Sequence, residues 1–365
     1  KSKDLRASLR EGSCVKKVIG VVSGKGGVGK SAVAVSLAIC LAQQGKKVVL
    51  VDLDLGGANL HTLLGLKNNH AGVGNFINRQ VTDVSKLLQE TCVENLQFIA
   101  GDCLLPGTAN MDFFIKKSLI QKLSKLSGDY LILDLGAGAA YNTLDFYLMT
   151  HNSIIVTTPE ITSILNAYSF LKASAYRFLS SQFTPTSAEK KFIKKCTGEA
   201  IAGAESSFVE LVDSLCARYP DCEKKVRTEL AKFRPQVILN NGTDPHDLEM
   251  CRRLRSLSQK KLGIGLDFIG FIPHDENVSL AIAARTPLIL SNPSSKFSVQ
   301  VKSAAERILL HSYDYNTEID SLGLETSGER IEFNGDSVNE DNDLEQLSRD
   351  FSEGVYEQHR NSDEN

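Results

Sequence analysis

A glycine-rich loop between a buried strand and a buried helix constrains this chain more than any other feature. Residues 24–31 read Gly-Lys-Gly-Gly-Val-Gly-Lys-Ser. The apolar run at 17–23 predicts a buried strand before the loop, and the apolar stretch at 30–44, which stops at Gly45, predicts a buried helix after it. A second buried strand pattern follows at 47–52, so this part of the sequence predicts a βαβ unit.

The loop fits the phosphate-binding pattern G-x-x-x-x-G-K-[ST] without a gap. Glycines permit a tight turn whose backbone N–H groups point at phosphate oxygens, and the following helix adds positive charge at its N-terminus. In this pattern Lys30 reaches the β- and γ-phosphates, and the Ser31 hydroxyl ligates Mg²⁺. The residues predicted to surround the phosphates are Gly24, Gly26, Gly27, Val28, Gly29, Lys30 and Ser31.

The same loop also satisfies G-x-G-x-x-G, the pattern of dinucleotide-binding folds. Asp52 then lies at the end of the second strand, where such folds place a ribose-binding acid. This alternative leaves Lys30 and Ser31 unexplained, as does a purely structural glycine turn. The P-loop pattern accounts for all eight residues and for the strand and helix around them, so we favour it.

Carboxylates end two of the predicted strands. Asp134 ends the run at 129–135, where a P-loop protein needs a second acid for Mg²⁺. Asp52 and Asp54 end the other strand and point to the same face, so one can serve the metal shell while the other orients water. The plainer alternatives are a helix N-cap for Asp134 and loop capping for Asp52 and Asp54.

Buried strands and helices continue to alternate along the chain. Further strand patterns lie at 95–101, 152–158, 235–240 and 266–272, and helical patterns include 161–180 and 294–310. This alternation predicts an α/β protein with the three-layer P-loop NTPase fold, in which helices cover both faces of a mostly parallel sheet. Residues 15–310 would form this ATPase domain after a short N-terminal segment, 1–14. The stretch at 181–234 has no strand pattern and predicts an inserted helical pair.

The net charge of −3 conceals an uneven distribution. Residues 1–310 carry a net charge of +10, and residues 311–365 carry −13. The acidic, Asn- and Ser-rich composition of 311–365 predicts a disordered tail. Within it, the spacing of Leu344, Leu347, Phe351 and Val355 is helical. The stripe sits among acids, so anionic lipid would repel it. The charge split makes the tail a candidate competitor for basic surface on the body.

The lysine after the first glycine of the loop, Lys25, is distinctive. Lys-Gly-Gly-Val-Gly-Lys-Ser resembles the deviant Walker A motif of the MinD/ParA ATPases, and the resemblance extends over most of 15–310. Within that family, the stretches at 49–65, 130–138, 154–172 and 268–289 are most similar to FlhG-type, MinD-like ATPases, which set flagellar number and position. The resemblance implies that Lys25 reaches across a dimer interface to the partner's nucleotide, as an arginine finger does.

The same resemblance assigns further residues. Asp54 would position the attacking water, with Asp52 beside the metal site, and Asp134 would hold Mg²⁺ through water. Asn240 and Pro273 would contact adenine. The NKxD signature of a guanine site is absent, which favours ATP as the nucleotide.

The function implied is an ATP-dependent dimerising switch of low turnover that positions or counts a cellular structure. We expect a cytoplasmic protein with peripheral contact at the inner membrane, and a regulatory partner such as a GTPase or a MinC-like or ParB-like activator. The first alternative is a ParA-type partitioning ATPase that binds DNA without sequence preference through basic clusters such as Arg252 and Arg253. A metabolic ATP-dependent ligase is a third. Iron–sulfur carriers of the family have a CxxC motif, and none of the eight cysteines forms one.

Overall fold

The computed structural model of the chain describes residues 17–101, 111–150, 152–201, 207–321, 344 and 347–349. The described strands form one sheet in the order β3-β4-β2-β5-β1-β6-β7-β8. They are β1 (Lys17–Ser23), β2 (Val48–Leu53), β3 (Gln89–Glu90), β4 (Leu96–Ile99), β5 (Tyr130–Ala137), β6 (Asn152–Thr157), β7 (Gln236–Gly242) and β8 (Asp267–Pro273). All neighbouring pairs are parallel except β3 and β4.

Thirteen α-helices lie in the described part of the chain. They are α1 (Lys30–Gln43), α2 (Leu60–Leu63), α3 (Val73–Ile77), α4 (Phe113–Leu123), α5 (Tyr141–Met149), α6 (Ile161–Ser181), α7 (Ala188–Ile201), α8 (Phe208–Arg218), α9 (Glu223–Ala231), α10 (Leu248–Leu262), α11 (Asn277–Ala283), α12 (Leu288–Ser291) and α13 (Lys296–Ser321). The mostly parallel sheet and its α/β class confirm the prediction from sequence. The antiparallel β3 was not predicted, because two residues are too few to show a pattern.

Each face of the sheet has its own apolar core. On β1, Val18 and Val22 belong to the cluster under α4, α5, α6 and α10, whereas Ile19 and Val21 belong to the cluster under α1 and α13. This division follows from the two-residue period of a strand, since alternate side chains point to opposite faces. Both faces of the central strands are therefore buried, which explains why these strands are continuous apolar runs in the sequence.

The inserted segment forms three helices, α7, α8 and α9, rather than the predicted pair. Ser207 and Glu210 form a capping box that starts α8. The Phe208 ring then packs edge-on against Tyr176 of α6, with ring centroids 5.1 Å apart. The insertion therefore shares the apolar core of the sheet instead of forming a separate unit.

The C-terminal region differs in part from the predicted tail. Helix α13 continues past the predicted boundary at 310 to Ser321. Leu344 and Leu347, from the predicted apolar stripe, are fully buried in the same cluster as the inserted helices. The rest of the predicted tail, including Phe351 and Val355, lies outside the described residues, as does the N-terminal segment 1–14.

A buried ion cluster joins three helices on that face. Lys116 of α4 donates to Asp145 Oδ2 of α5 at 2.6 Å, and both side chains are buried. Arg177 of α6 donates to Asp145 Oδ1 through Nε at 2.9 Å and Nη2 at 2.7 Å. A buried carboxylate is tolerated only with such partners, so Asp145 fixes how α4, α5 and α6 meet.

Removing this carboxylate should destabilise the protein strongly. Asp145→Ala leaves the buried ammonium of Lys116 without its anion, and we expect a loss of about 3–5 kcal/mol in the free energy of unfolding. Denaturant unfolding followed by circular dichroism measures it. As a control, Glu249→Ala breaks only exposed pairs with Arg252 and Arg253 and should cost about 1 kcal/mol or less. Equal losses for the two variants would contradict this account.

Candidate functional site

The glycine loop between β1 and α1 has the geometry of a phosphate cradle. Gly27 and Gly29 have φ angles of +82° and +84°, which side chains other than glycine rarely adopt. A Cβ on Gly24 would lie 2.3 Å from the backbone carbon of Asn166, so α6 packs directly on the first glycine. The last glycine leads into α1, whose first residue is the buried Lys30. This conformation agrees with the P-loop prediction.

Lys30 and Ser31 meet Asp134 at the end of β5. The Lys30 ammonium donates to Asp134 Oδ1 at 2.6 Å, and the Ser31 hydroxyl donates to Oδ2 at 2.6 Å. Asp134 is 1% exposed, and burial raises the pKa of its carboxyl, an effect that Lys30 and Ser31 oppose. This carboxylate is therefore paired with the two P-loop side chains, and its predicted role as the second acid for Mg²⁺ stays a prediction. It is not a helix N-cap, because Ala140 occupies that position of α5.

Asp52 lies beside Asp134, since the two residues are in register on β2 and β5. Both oxygens of Asp52 are used by the backbone: Oδ1 accepts the Asp54 N–H and Oδ2 accepts the Leu60 N–H, each at 3.1 Å. Asp52 thus shapes the loop from 54 to 60, which corresponds to the plainer alternative of loop capping. Its predicted place near the metal stays a prediction.

Asp54 projects into the opening of the site. Its Oδ2 lies 3.5 Å from the Lys30 Nζ, and its side chain is 28% exposed. Gly57 and Gly136 flank it closely. Beyond Gly136, the Gly138 N–H donates to the Ser23 carbonyl at 2.8 Å, so the loop after β5 is bonded to the end of β1. Asp54 therefore combines contact with the P-loop lysine and access for solvent.

Lys25 lies at the rim of the loop and is 31% exposed. Its ammonium donates to Glu160 Oε2 at 2.5 Å and to Thr162 Oγ1 at 3.3 Å. Neither partner was predicted from the sequence, although both lie within the stretch 154–172 that resembles the family. Glu160 is the N-cap residue of α6, and acidic residues are common at helix starts. Its position in the sequence therefore does not indicate that it pairs with a lysine.

Asn240 is buried beneath the loop. Its Nδ2 donates to the Val28 carbonyl at 2.8 Å, and a Cβ on Gly29 would come within 2.3 Å of that nitrogen. The Oδ1 has no hydrogen bond in the part of the chain that the structure describes. Pro273 lies at the end of β8, opposite Gly242 of β7. Asn240 thus supports the P-loop directly, while the predicted adenine contacts of both residues remain predictions.

The described residues contain no helix long and apolar enough to cross a membrane. They also contain no group of three or more His, Cys, Asp or Glu side chains arranged to hold a metal ion. The donors at the P-loop instead fit Mg²⁺ in the way expected for a nucleotide-bound ion. Ser31 Oγ would be the protein ligand, and Asp134 would act through water.

Asp52 yields a pH-dependent prediction. Burial, followed by the charge of Asp134, raises the pKa of Asp52 to about 7. The folded protein therefore retains a proton that the unfolded chain releases, and Asp52 lowers stability as the pH rises through the window from about 4 to about 7. Asp52→Asn carries no charge and removes this loss.

The measurement is the difference in unfolding free energy between Asp52→Asn and the native sequence, without nucleotide, by denaturant titration. The difference should shift in favour of the variant between about pH 5 and about pH 8. The exposed Glu94→Gln serves as the matched control and should show no such shift. A pH-independent difference for Asp52→Asn would contradict the prediction.

Comparison with known proteins agrees with this geometry. The family model described as "ParA: NUBPL iron-transfer P-loop NTPase" matches residues 14–175. The chain is 32% identical over 246 residues to "Flagellum site-determining protein YlxH" of Helicobacter pylori, covering 62% of this chain and 79% of that protein. It is 26% identical over 301 residues to "Antiactivator FleN" of Pseudomonas aeruginosa, covering 80% of this chain and 86% of that protein.

A solved structure has the same fold. The MinC:MinD cell division protein complex of Aquifex aeolicus matches with a TM-score of 0.52 at 20% identity, covering 86% of this chain and 98% of that chain. The strand order brings Lys30, Ser31 and Asp134 together at the carboxyl ends of the central strands. Parallel α/β folds bind nucleotide at this edge of the sheet. The chain belongs to the MinD/ParA family of P-loop NTPases.

Proposed function

We propose that this protein is an ATP-dependent dimerising switch that hydrolyses ATP slowly and controls the position or number of a cellular structure. The observation that carries the proposal is the second lysine of the loop. Lys30 is buried at the phosphate end, whereas Lys25 lies at the rim with its ammonium turned to Glu160. A lysine at the rim can serve a second subunit, and a lysine inside the site cannot.

The residues of the loop would bind the nucleotide. The backbone N–H groups of 24–31 and the start of α1 would hold the phosphates, and Lys30 would exchange its pairing with Asp134 for phosphate oxygens. Mg²⁺, when bound, neutralises phosphate charge. Ser31 would then turn its hydroxyl from Asp134 to the ion. Lys30 and Ser31 would therefore both change partners between the nucleotide-free and the nucleotide-bound protein. Asp134 would keep its position through the register of β5.

Asp54 would orient the attacking water. Its carboxylate is partly exposed and lies next to Lys30, so it can accept a hydrogen bond from a water near the terminal phosphate. The reaction transfers the terminal phosphoryl group to that water and yields ADP and phosphate. The protein supplies positioning and charge rather than covalent chemistry. Because Lys25 would come from the partner subunit, we propose that the monomer hydrolyses ATP slowly and that the site is complete only in the dimer.

The names of the relatives support a role in placement. The chain matches "Flagellum site-determining protein YlxH" and "Antiactivator FleN" over most of their length. We propose the same class of task here, with a regulatory protein as partner. Localisation in the cytoplasm, with peripheral contact at the inner membrane, is part of this proposal.

A DNA-partitioning role has no specific support from the site. Arg252 and Arg253 of α10 lie 3.5 Å and 3.7 Å from the carboxylate of Glu249, so part of their charge is compensated within the helix. A gel shift with ATP separates the two roles. Retention of DNA that is lost on charge reversal at Arg252 and Arg253 would favour partitioning.

Removing the proposed water-orienting group should trap the dimer. Asp54→Ala should keep ATP binding, because the loop, Lys30 and Ser31 are intact, while hydrolysis falls about a hundredfold or more. Light scattering after size-exclusion chromatography with Mg²⁺-ATP should then show a persistent dimer. A monomeric Asp54→Ala protein that still binds ATP would contradict the proposal.

Removing the rim lysine should have the opposite effect. Lys25→Ala should bind ATP and remain monomeric under the same conditions, since phosphate charge at the interface is no longer neutralised. The control is Lys47→Ala, because Lys47 is exposed and directly precedes β2, at the end of the sheet opposite the P-loop. An ATP-bound Lys25→Ala dimer as stable as the Lys47→Ala dimer would refute the role in trans.

A further inference from the structure

The first residues of α6 hold Lys25 within its own subunit. The Lys25 ammonium donates to Glu160 Oε2 at 2.5 Å and to Thr162 Oγ1 at 3.3 Å, so two of its three N–H bonds have acceptors on that helix. The proposed function requires the same ammonium to reach the nucleotide of a second subunit. Lys25 therefore has to leave Glu160 before two subunits can form a complete site.

The Glu160 carboxylate does not support the helix that it begins. Glu160 is the N-cap residue of α6, but its side chain makes no capping hydrogen bond. The Glu160 backbone carbonyl instead accepts the N–H groups of Ser163 and Ile164, at 2.9 Å and 3.0 Å. The side chain can consequently lose its partner or its charge while α6 stays intact.

The backbone around Lys25 is fixed against the same helix. The buried Ser23 hydroxyl donates to the Lys25 carbonyl at 2.8 Å. Gly24 packs so closely on α6 that a Cβ there would lie 2.3 Å from the backbone carbon of Asn166. Rotation of the Lys25 side chain alone therefore moves its ammonium away from Glu160, and the P-loop backbone need not rearrange.

The pair of Lys25 and Glu160 can be exchanged for a stronger one. The two side chains are 31% and 64% exposed, and ion pairs in contact with water are weak. The phosphates of a nucleotide carry several negative charges, and an interface between two subunits excludes water, which strengthens their attraction for an ammonium. Nucleotide in a partner subunit can thus take Lys25 from Glu160, whereas in a free subunit Glu160 keeps it.

We propose that Glu160 is a positioning residue that retains Lys25 in its own subunit until a second, nucleotide-bound subunit takes it up. Formation of one dimer breaks two pairs of Lys25 and Glu160, so these pairs oppose dimerisation and raise the protein concentration at which subunits associate. Glu160 acts through Lys25. This inference rests on the proposed function and adds to it a restraint in the free subunit.

The test measures dimerisation in the Asp54→Ala background, in which hydrolysis does not consume the ATP. Sedimentation equilibrium with saturating Mg²⁺-ATP gives the dimer dissociation constant with and without the added Glu160→Gln substitution. Glutamine removes the charge and keeps the shape of the side chain. We expect a dissociation constant about tenfold lower with Glu160→Gln, because two exposed ion pairs no longer have to break.

Two further variants separate charge from other effects. Glu94→Gln is the matched control, since Glu94 is exposed and lies two residues before β4, at the end of the sheet opposite the P-loop. It should leave the dissociation constant unchanged, and Glu160→Asp, which keeps the charge on a shorter side chain, should give an intermediate value. The difference between Glu160→Gln and Glu94→Gln should shrink at high salt, because salt screens exposed ion pairs. A purely steric role of Glu160 would not depend on salt.

A second measurement requires neither ATP nor a dimer. The nucleotide-free protein reacts with an amine-directed N-hydroxysuccinimide ester, and mass spectrometry follows the rate of modification at Lys25. We expect Glu160→Gln to raise this rate about twofold or more, because the Lys25 amine is no longer held in an ion pair. Modification of the exposed Lys47 in the same sample is the internal control and should be unchanged.

The outcomes distinguish this inference from the proposed function. If Asp54→Ala dimerises and Glu160→Gln leaves the constant unchanged or raises it, Glu160 does not restrain dimerisation and only this inference is wrong. If Asp54→Ala does not dimerise with ATP, the proposed function is wrong and the inference fails with it. An unchanged rate at Lys25 would show that Glu160 does not hold the lysine. Circular dichroism of each variant establishes that it is folded.

Discussion

The pairing of the buried Asp134 carboxylate with Lys30 and Ser31 is the interaction on which the site depends. A carboxylate at the end of a central strand is unfavourable unless charge and hydrogen bonds compensate it. Here the two compensating groups are the same side chains that a nucleotide and its metal would recruit. Asp134 therefore holds both side chains in place in this structure. Under the proposed function it releases them when phosphate binds. Its register with Asp52 extends this order to the loop from 54 to 60.

The P-loop and the central strands could be predicted from the sequence because their signals are local. Four glycines, two lysines and a serine of the loop follow a fixed pattern, and fully buried strands are continuous apolar runs. The partners of Lys25 could not be predicted, because Glu160 is distant in sequence and an acid at a helix N-cap is commonplace. Asn240 illustrates a different limit. Its position at the end of a strand was predicted, but its bond to the Val28 carbonyl depends on how β7 packs beneath the loop.

The insertion and the C-terminal region show where helical patterns were insufficient. The patterns at 206–219 and 223–233 predicted two helices of the insertion, which correspond to α8 and α9. Helix α7 was not predicted, because its many lysines leave few apolar positions to show a helical period. Acidic composition predicted a tail from 311 onwards, yet α13 reaches Ser321 and Leu344 is buried in the core of the sheet. Composition does not show which single leucines become buried by tertiary packing. It also does not show that Lys116, Asp145 and Arg177, which are distant in sequence, form an ion cluster.

The central claim is that Lys25 of one subunit completes the site of the other, and mixing two inactive variants tests it most directly. Lys25→Ala retains Asp54, and Asp54→Ala retains Lys25, so neither variant alone can form a complete site. In a mixed dimer, the Lys25→Ala subunit keeps its own Asp54 and receives Lys25 from its partner. We predict that phosphate release from ATP, negligible for each variant alone, is restored on mixing. If mixing restores no hydrolysis while mixed dimers form, Lys25 does not act across the interface.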